Sequence, residues 1–540
     1  MALFLTFALL FSLAACNSDS TSDSKKKSNK TTFSKQVVVD NDECKIIITK
    51  LDLDNENGPT LKTQLENKTE DKTLTFNLNN TSINGVQSSA YLYANIEPGK
   101  KETKEIVFSD SALQKNDIGD YTDFELSFSV HDANDLEADF VAEETVHVYP
   151  YGEEKATTYT RKVQKDDIVL MDNDYVSVIA TGYETDGAYH NLYLFLVNKS
   201  DKALEINSGN VTVNGFAADP YFWYAIYEGK SAFTSATWSE SSFNGLNIGD
   251  FTHIEMDLQV YERSNSWTGT LADETVHYYP YGEDRATEFT YELQPSDQLL
   301  LDNEYIQLIA TGCEEEEYAQ VVNIIAINKS DKNIGISIDD TSVNGLMLEA
   351  GYWCDIPAGK VAYEALAWNK SDLENIDLGD FTDIEMTVNI SDQDNWDTLA
   401  SETIRYYPEG ESNATEFNYT VQPSDTVLVD NDYVSVIITG HEADEWGDYE
   451  LSLYYVNKSD TDLYISANSI TVNGLNLDSY YGETLPLDKN AFFPMEWSSY
   501  TLEENSITDI SEIAFTLEIS SDYGWYTTNL LTEAFTLQFQ

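Results

Sequence analysis

The stretch Ile254-Glu255-Met256-Asp257-Leu258-Gln259-Val260 alternates apolar and polar residues without interruption. Successive side chains of a β-strand point to opposite faces of its sheet, so one face of this stretch suits a core and the other suits water. Three further stretches follow the same rule, with the apolar sets Phe124, Leu126, Phe128 and Val130; Ile384, Met386, Val388 and Ile390; and Ile513, Phe515, Leu517 and Ile519. The pattern predicts four half-buried strands of one kind.

Other landmarks recur in phase with these strands. The string VDNDEC begins at Val39 and returns as MDNDYV at Met171, LDNEYI at Leu301 and VDNDYV at Val429, with spacings of 132, 130 and 128 residues. Asn-Lys-Thr or Asn-Lys-Ser begins at residues 67, 198, 328 and 457, and Asn-Gly at residues 84, 214, 344 and 473. Asn tolerates left-handed backbone and hydrogen-bonds locally, so these motifs are expected in turns. We predict four copies of one domain, at residues 36–152, 153–282, 283–410 and 411–540.

Short β-rich runs separated by Asn, Gly, Ser and Asp clusters fill each copy. With almost no helical periodicity, they favour an all-β fold of four tandem antiparallel β-sandwich domains of immunoglobulin-like type. The first three copies end in Tyr-Pro-x-Gly at residues 149–152, 279–282 and 407–410, where Pro and Gly stop a strand. We expect the Ala-Thr-x-Phe or Ala-Thr-x-Tyr segment after each joint to begin the next domain as a strand.

An apolar run from Ala2 to Leu13 ends in Leu13-Ala14-Ala15-Cys16. It is shorter than the roughly 20 residues that span a bilayer as a helix. The pattern resembles the processing signal of bacterial lipoproteins, which implies that residues 1–16 are a signal peptide with its lipobox and that Cys16 becomes the lipidated first residue. No basic residue precedes the run, so we expect the true start to lie upstream of Met1.

Residues 17–35 form a Ser- and Lys-rich segment with almost no apolar residues. Such a composition predicts a disordered tether, whose lysines suit anionic lipid headgroups. The expected location is therefore extracytoplasmic, with the protein anchored by its N-terminal lipid to the bacterial cytoplasmic membrane at the cell surface. The membrane is the predicted partner through that lipid.

The chain is strongly acidic, with 95 Asp and Glu against 30 Lys and Arg and a formal net charge of −65. A surface of this sign repels nucleic acid, so no nucleic-acid partner is expected. Solubility and mutual repulsion at a crowded cell surface account for the charge more simply than acidic metal sites do.

No catalytic motif is present, and none of the six histidines recurs in all four copies. We interpret them as scattered surface histidines and predict no enzyme, no cofactor and no metal site. Cys44 aligns with apolar strand positions of the other copies and is expected to be a buried thiol. Cys313 and Cys354 lie in one copy, where a disulfide is allowed but not required, since the other copies have none.

Tryptophans are the remaining candidates for a site. Trp238, Trp368 and Trp497 occupy one strand position and are expected in the core, whereas the polar loops contain Trp267, Trp396 and Trp525. Such loop indoles can stack on a sugar or anchor a protein, or fold back over a sheet edge. Trp223 and Trp353 belong to a second aromatic set with the same alternatives, together with Tyr221 and Tyr352. The candidate ligand contacts are Trp267, Trp396, Trp525, Trp223 and Trp353.

The motifs DNDY, NKSD and VNG, recurring over most of residues 36–540, resemble those of repeat-bearing surface lipoproteins of Gram-positive gut bacteria. That resemblance implies immunoglobulin-like sandwiches displayed at a cell surface. The first hypothesis is a non-enzymatic, membrane-anchored protein that presents a rod of domains for adhesion or ligand binding. The alternatives are an array of carbohydrate-binding modules that use the loop tryptophans, and an enzyme of unrecognised type.

Overall fold

The structure is a computed structural model that describes residues 33–109, 113, 115–135, 138–243, 246, 248–265, 269–373, 376–444, 447–477, 481–521 and 528–539. The proposed signal peptide, Cys16, most of the tether, Trp267 and Trp525 lie outside the described residues. The chain divides into two compact units, Met1–Arg161 and Lys162–Gln540. None of the helices in the described parts of the chain is long and apolar enough to cross a membrane.

The first unit is built from strands in two sheets. Its described strands are β1 (Gln36–Asp40), β2 (Cys44–Asp52), β3 (Thr60–Asn67), β4 (Leu74–Ile83), β5 (Val86–Gln87), β6 (Tyr93–Ile96), β7 (Lys101–Val107), β8 (Phe124–Asp132) and β9 (Ala142–Val148). One sheet has the order β1-β2-β3-β7. In the other, β4 pairs with β5, β6 and β8, and β8 pairs with β9. The pairings within each sheet are antiparallel, as expected for a sandwich.

The second unit repeats this order three times. The second sandwich comprises β10 (Ile168–Asp172), β11 (Val176–Thr185), β12 (Tyr189–Asn198), β13 (Leu204–Val213), β14 (Phe216–Ala217), β15 (Trp223–Ile226), β16 (Ser231–Ser239), β17 (Ile254–Glu262) and β18 (Thr270–Tyr278). The third comprises β19 (Gln298–Asp302), β20 (Ile306–Glu315), β21 (Ala319–Asn328), β22 (Ile334–Val343), β23 (Leu346–Met347), β24 (Trp353–Ile356), β25 (Val361–Asn369), β26 (Ile384–Asp392) and β27 (Thr398–Tyr406). In each, the first three strands and the seventh form one sheet and the other five form the second.

The last sandwich differs in having one strand broken in two. It comprises β28 (Thr426–Asp430), β29 (Val434–Ala443), β30 (Tyr449–Asn457), β31 (Leu463–Val472), β32 (Leu475–Asn476), β33 (Gly482–Leu485), β34 (Asn490–Phe492), β35 (Met495–Trp497), β36 (Glu512–Ser521) and β37 (Thr528–Gln538). The described α-helices are α1 (Lys370–Leu373) and α2 (Ser499–Glu504), and the described 3-10 helices are Glu153–Lys155, Glu240–Phe243, Arg263–Asn265, Glu283–Arg285 and Glu411–Asn413. The prediction of an all-β fold of tandem antiparallel sandwiches is confirmed.

The alternating strands bury the side that their sequence predicts. Strands β8, β17, β26 and β36 place their apolar residues inside and their polar residues outside. Trp238, Trp368 and Trp497 are 1%, 1% and 3% exposed, which confirms that they belong to the core. Cys44 is fully buried, and burial raises the pKa of its thiol to about 11. The domain boundaries at residues 152, 282 and 410 stay predictions.

The Asn-Gly pairs form two-residue turns that also hold other segments in place. At Asn344, φ is 52° and at Gly345 it is 82°, the left-handed geometry of a type I′ hairpin. The Asn344 side chain is buried: its Nδ2 donates to the Asp380 carbonyl at 2.8 Å, and its Oδ1 accepts from Thr382 N–H and Oγ1 at 3.1 and 2.8 Å. One amide thus ties the turn to the entry of β26.

The Asp-Asn and Asn-Lys motifs form a second set of contacts that hold each sandwich together. Asn328 is buried; its Nδ2 donates to the Lys332 and Ile356 carbonyls, and its Oδ1 accepts from Ser330. The next residue, Lys329, pairs with Asp302, which ends β19. The same pair occurs in each described sandwich, as Asp40–Lys68, Asp172–Lys199 and Asp430–Lys458. These motifs are structural, and the prediction that Asn-Lys-Ser forms a turn is confirmed.

The segments after the Tyr-Pro-x-Gly joints differ from the prediction. Residues 286–289 and 414–417 form no strand, and they lie against the sandwich that precedes them. The Phe417 N–H donates to the Asn344 carbonyl at 2.7 Å, and the Thr415 N–H donates to Thr382 Oγ1 at 3.0 Å. These segments therefore do not begin the next sandwich as strands; their backbone hydrogen-bonds to the Asn-Gly turn and to Thr382 or its counterpart Thr252 in the preceding sandwich.

Within the second unit, consecutive sandwiches share backbone pairing and core. Short strand β23 runs parallel to β34, with Leu346 opposite Asn490. Phe417 then packs against Tyr454 and Phe492 of the last sandwich, with ring centroids 6.2 and 6.4 Å apart. Lys489 Nζ, almost buried, lies 2.7 Å from Glu385 Oε1. The junction is therefore a packed interface with a charge pair inside it.

We expect Asn344→Ala to lower the free energy of unfolding by about 3 kcal/mol, because buried backbone groups lose a side-chain hydrogen-bond partner. Asn473→Ala is the matched control: Asn473 has the same turn geometry and the same hydrogen bonds but is exposed, so water replaces the amide and the loss is about 1 kcal/mol. Urea-induced unfolding measures both. Equal losses would contradict the assigned role of burial.

The charge pair at the junction predicts a pH dependence. Burial alone would raise the pKa of Glu385, but Lys489 and Arg405 hold it below its ordinary value. A lowered folded-state pKa contributes stability that is present above the unfolded-state pKa of about 4.3 and is lost as the pH falls through the folded-state value. Lys489→Met should cost about 2 kcal/mol near neutral pH, with the difference from wild type shrinking in acid.

The control for this pair is Lys370→Met, which removes an exposed ion pair with Glu315 in the same unit. Exposed pairs contribute less than about 1 kcal/mol, so its effect should be small. Unfolding free energies from urea titrations at several pH values test both variants. A cost for Lys489→Met that does not change with pH would contradict the charge pairing.

Candidate functional site

Two of the predicted ligand-contact residues meet on the third sandwich. Trp353 begins edge strand β24, and Trp396 lies in the loop between β26 and β27. They are 49% and 65% exposed, and their ring centroids are 6.1 Å apart with the planes inclined at 35°. We call these two rings and the polar side chains beside them, Ser337, Asp339, Asn389 and Ser401, the tryptophan face. The alternation of apolar and polar residues within a single strand does not reveal that the two indoles are neighbours.

A glycine explains how Trp353 reaches across its neighbouring strand. Trp353 pairs with Ser337 on β22, two residues from Gly335. A Cβ atom at Gly335 would lie 3.1 Å from Cζ2 of Trp353, closer than most such contacts. The second sandwich has Glu205 at the corresponding register position. The absence of a side chain at Gly335 therefore lets the indole lie over the sheet.

Trp396 is held in an unfavourable backbone conformation. Its φ is 63°, in the left-handed region that bulky residues rarely adopt. Its N–H donates to the Asp392 carbonyl at 2.8 Å, and the Asp392 N–H donates back across the loop to the Asp397 carbonyl at 2.9 Å. The buried Asp392 carboxylate accepts from Asp394 N–H at 3.0 Å and pairs with Lys332. Strain of this kind is concentrated at functional sites.

Polar side chains extend from the indoles across the outer side of the sheet. Ser337 lies opposite both Trp353 and Asn389, and Asn389 lies opposite Ser401, so the four share one side. Asn389 Nδ2 donates to Asp339 Oδ2 at 2.6 Å, and Ser401 Oγ donates to Asn389 Oδ1 at 2.6 Å. The arrangement combines a flat apolar surface with fixed donors and acceptors.

The other members of the aromatic sets have different environments. Trp223 takes the position of Trp353 in the second sandwich and is 55% exposed, with Tyr221 beside it at 88%. Tyr352 is in the core, so it cannot share the role proposed for its neighbour. The fourth sandwich has Gly482 at this position, opposite Ser466. Among the described residues, two tryptophans therefore come together on the third sandwich alone.

Cys313 and Cys354 are free thiols in the structure, and the disulfide between them stays a prediction. Cys313 lies on β20 of the first sheet, where its Sγ accepts from Gln320 Nε2 at 3.4 Å. Cys354 lies on β24 of the other sheet and is buried.

The interpretation of all histidines as surface residues is wrong for two of them. His190 is 8% exposed and stacks on Phe251 with centroids 4.0 Å apart. His253 is equally buried; burial lowers its pKa, and its Nε2 lies 3.0 Å from Nδ1 of His277. Together with Glu255, these two imidazoles form a group whose ligand atoms lie within 4.8 Å of one another. Sequence reasoning missed the group because His277 lies on β18, a different strand from Glu255, and only the pairing of the two strands brings them together.

No protein-family model matches the chain, and no curated protein matches it. Solved structures offer matches of low similarity. Escherichia coli alpha-2-macroglobulin activated by porcine elastase is 9% identical, with 91% of this chain and 44% of that chain covered and a TM-score of 0.13. This chain thus spans less than half of the macroglobulin.

Two further structures match over most of their own length. A β-D-mannosidase from Dictyoglomus thermophilum is 8% identical, with 85% and 92% of the two chains covered and a TM-score of 0.15. The BSP domain of a biofilm associated protein is 10% identical, with 93% and 97% covered and a TM-score of 0.14. At such TM-scores these matches assign no function.

The strained backbone at Trp396 predicts that alanine and glycine variants differ in stability in opposite directions at Trp396 and at Trp353. Both Trp396→Ala and Trp396→Gly remove the indole, but only glycine relieves the left-handed backbone, so the glycine variant should be more stable by about 1 kcal/mol. At Trp353, in an extended strand, the order should reverse, with glycine about 0.5–1 kcal/mol less stable than alanine. Thermal and urea unfolding of the four variants check this. The same order at both positions would contradict the assigned strain.

Proposed function

We propose that this protein is a non-catalytic carbohydrate-binding protein and that the tryptophan face is its binding surface. The observation that supports this function best is the exposed Trp353–Trp396 pair with a polar row beside it. The lack of a catalytic motif supports a binding role over the alternative of an enzyme.

The chemistry of the tryptophan face matches a sugar ring. A pyranose presents C–H groups on its faces and hydroxyls around its rim, so it needs an aromatic surface and hydrogen-bonding groups at the edge of that surface. The indoles provide the first requirement. Ser337, Asp339, Asn389 and Ser401 provide the second, since their hydroxyl and amide groups donate to sugar hydroxyls and their oxygens, including the carboxylate, accept from them.

The proposal includes display outside the cytoplasmic membrane. It is supported by the resemblance of residues 13–16 to a lipoprotein processing signal, with Cys16 as the lipidated residue. The strongly acidic composition suits an exposed protein in a crowded setting. In this arrangement the lipid holds the chain at the membrane, and the sandwiches present the binding surface for adhesion to glycans.

A glycan array probed with the purified protein tests the function, with affinities then measured by calorimetry for the glycans that bind. Trp353→Ala and Trp396→Ala should each weaken binding at least tenfold, equivalent to about 1.4 kcal/mol. Tyr318→Ala is the matched control, because Tyr318 is 76% exposed in the same sandwich but lies apart from the face, in the loop between β20 and β21.

Binding that survives in the Trp353→Ala, Trp396→Ala double variant would exclude the tryptophan face. Failure of the wild-type protein to bind any glycan on arrays of host and cell-wall sugars would overturn the carbohydrate function itself. Circular dichroism of each variant separates loss of binding from loss of fold.

A further inference from the structure

In each of the first three sandwiches, three polar residues come together at one register position, on the outer side of the sheet that contains β8, β17 or β26. In the third sandwich, Arg405 on β27 faces Glu385 on β26 and Asp383, which directly precedes that strand. Arg405 Nη1 lies 3.2 Å from Asp383 Oδ2, and its Nε donates to Glu385 Oε2 at 2.6 Å. A permanent cation therefore lies between two carboxylates that are two residues apart in the chain.

The first sandwich follows the same plan with an imidazole. His147 on β9 places Nδ1 2.8 Å from Asp123 Oδ1 and Nε2 3.5 Å from Glu125 Oε2. Each ring nitrogen thus faces a different carboxylate, and the imidazole bridges them. In both sandwiches, two acidic residues separated by one residue lie at the start of one strand, and a basic side chain lies opposite them on the next strand.

The second sandwich departs from this plan at one position. His253 stands where the other two sandwiches have an aspartate, so Glu255 faces two imidazoles. His253 Nε2 and His277 Nδ1 are 3.0 Å apart, and His277 Nδ1 is 3.6 Å from Glu255 Oε2. One nitrogen or oxygen of each residue lies within 4.8 Å of the corresponding atoms of the other two. The ring of Tyr279 stacks on His253, with centroids 4.7 Å apart and planes inclined at 10°, and fixes its orientation.

We propose that His253, Glu255 and His277 bind a divalent transition metal, with Zn²⁺ as the ion that fits. Zinc takes imidazole nitrogen and carboxylate oxygen at about 2.0–2.2 Å in tetrahedral geometry. Ligand atoms around such an ion are about 3.3 Å apart. The two separations from His277 Nδ1, 3.0 Å to His253 and 3.6 Å to Glu255, lie on either side of that value, and all three ligand atoms lie within 4.8 Å of one another.

The donor set also distinguishes zinc from the alkaline-earth ions. Two imidazoles and one carboxylate suit zinc and its neighbours in the first transition row, whereas Ca²⁺ and Mg²⁺ prefer oxygen ligands alone. Three protein ligands leave the fourth position of a tetrahedral ion for water. The His277 side chain is 46% exposed, which provides a route from solvent to an otherwise shielded site.

One neighbouring cation competes for the site. Lys360, from the third sandwich, places its Nζ 3.5 Å from Glu255 Oε2, the same oxygen that faces His277. Binding of the metal would displace this ammonium from the carboxylate or shift it to the other oxygen. Lys360→Met is therefore expected to bind Zn²⁺ more tightly than the wild-type chain does.

Two substitutions that introduce the residues of the other sandwiches test the site. His277→Arg introduces the basic residue that the third sandwich has at this position, and His253→Asp reproduces the Asp123, Glu125, His147 arrangement of the first. Both should retain the fold, because neighbouring domains carry these residues at the same register position. His277→Arg replaces one nitrogen ligand with a permanent cation, whereas His253→Asp replaces the other with a carboxylate, which can itself bind zinc.

Zn²⁺ binding to the full chain is measured by calorimetry in excess Mg²⁺, which occupies weak carboxylate sites on this acidic surface. We expect one tight Zn²⁺ per chain, with the affinity reduced at least 100-fold in His277→Arg and by a smaller factor in His253→Asp, while the circular dichroism of both metal-free variants stays unchanged. Co²⁺ should show the intense visible absorption of tetrahedral coordination in the wild-type chain and lose it in His277→Arg.

Zn²⁺ affinity that is equal in the wild-type chain and both variants would overturn the proposal. An octahedral Co²⁺ spectrum, indicating scattered carboxylate binding, would also overturn it. Weaker binding by Lys360→Met would contradict the competition for Glu255. These readouts are independent of glycan binding, so the carbohydrate function and the metal site stand or fail separately.

Discussion

The buried amide of the Asn-Gly turn is the constraint on which much of each of the first three sandwiches depends. At Asn344 the left-handed backbone closes the hairpin between β22 and β23, while the side chain satisfies backbone groups at the entry of β26. The carbonyl of the same residue accepts from Phe417, which carries the chain away from the domain. One residue therefore fixes a hairpin, a strand entry and the direction of the linker.

The register that this turn sets has consequences for the outer surface. A shift of one residue between β22 and β26 would exchange the inner and outer sides of the strand. The apolar set of β26 would then face water, and Glu385 and Asn389 would enter the core. The charge pair with Lys489 and the polar row beside Trp353 thus exist only because the register is held. The register between β22 and β26 therefore determines both the packing on the inner side of the sheet and the polar contacts on its outer side.

The fold was largely readable from local patterns, and the sites were not. Strand alternation and the positions of Trp238, Trp368 and Trp497 follow from side-chain period and hydrophobicity, which neighbouring residues determine. The linker after each joint was misread because its partner, the carbonyl of the Asn-Gly turn, lies 73 residues away in the case of Asn344 and Phe417. Proximity of Trp353 to Trp396, or of His253 to His277, depends on cross-strand register and loop conformation, which a single sequence does not reveal.

Comparison among the sandwiches shows where this architecture tolerates change. Inward positions keep apolar residues of similar size, since a filled core penalises both cavities and excess volume. Outward positions at one register exchange His147, His277 and Arg405, and edge positions exchange Trp353 and Gly482. Because these side chains are not packed in the core, they change at little cost to folding. Distinct surface chemistry can therefore arise in one domain of the array while its neighbours keep the structural version of the same position.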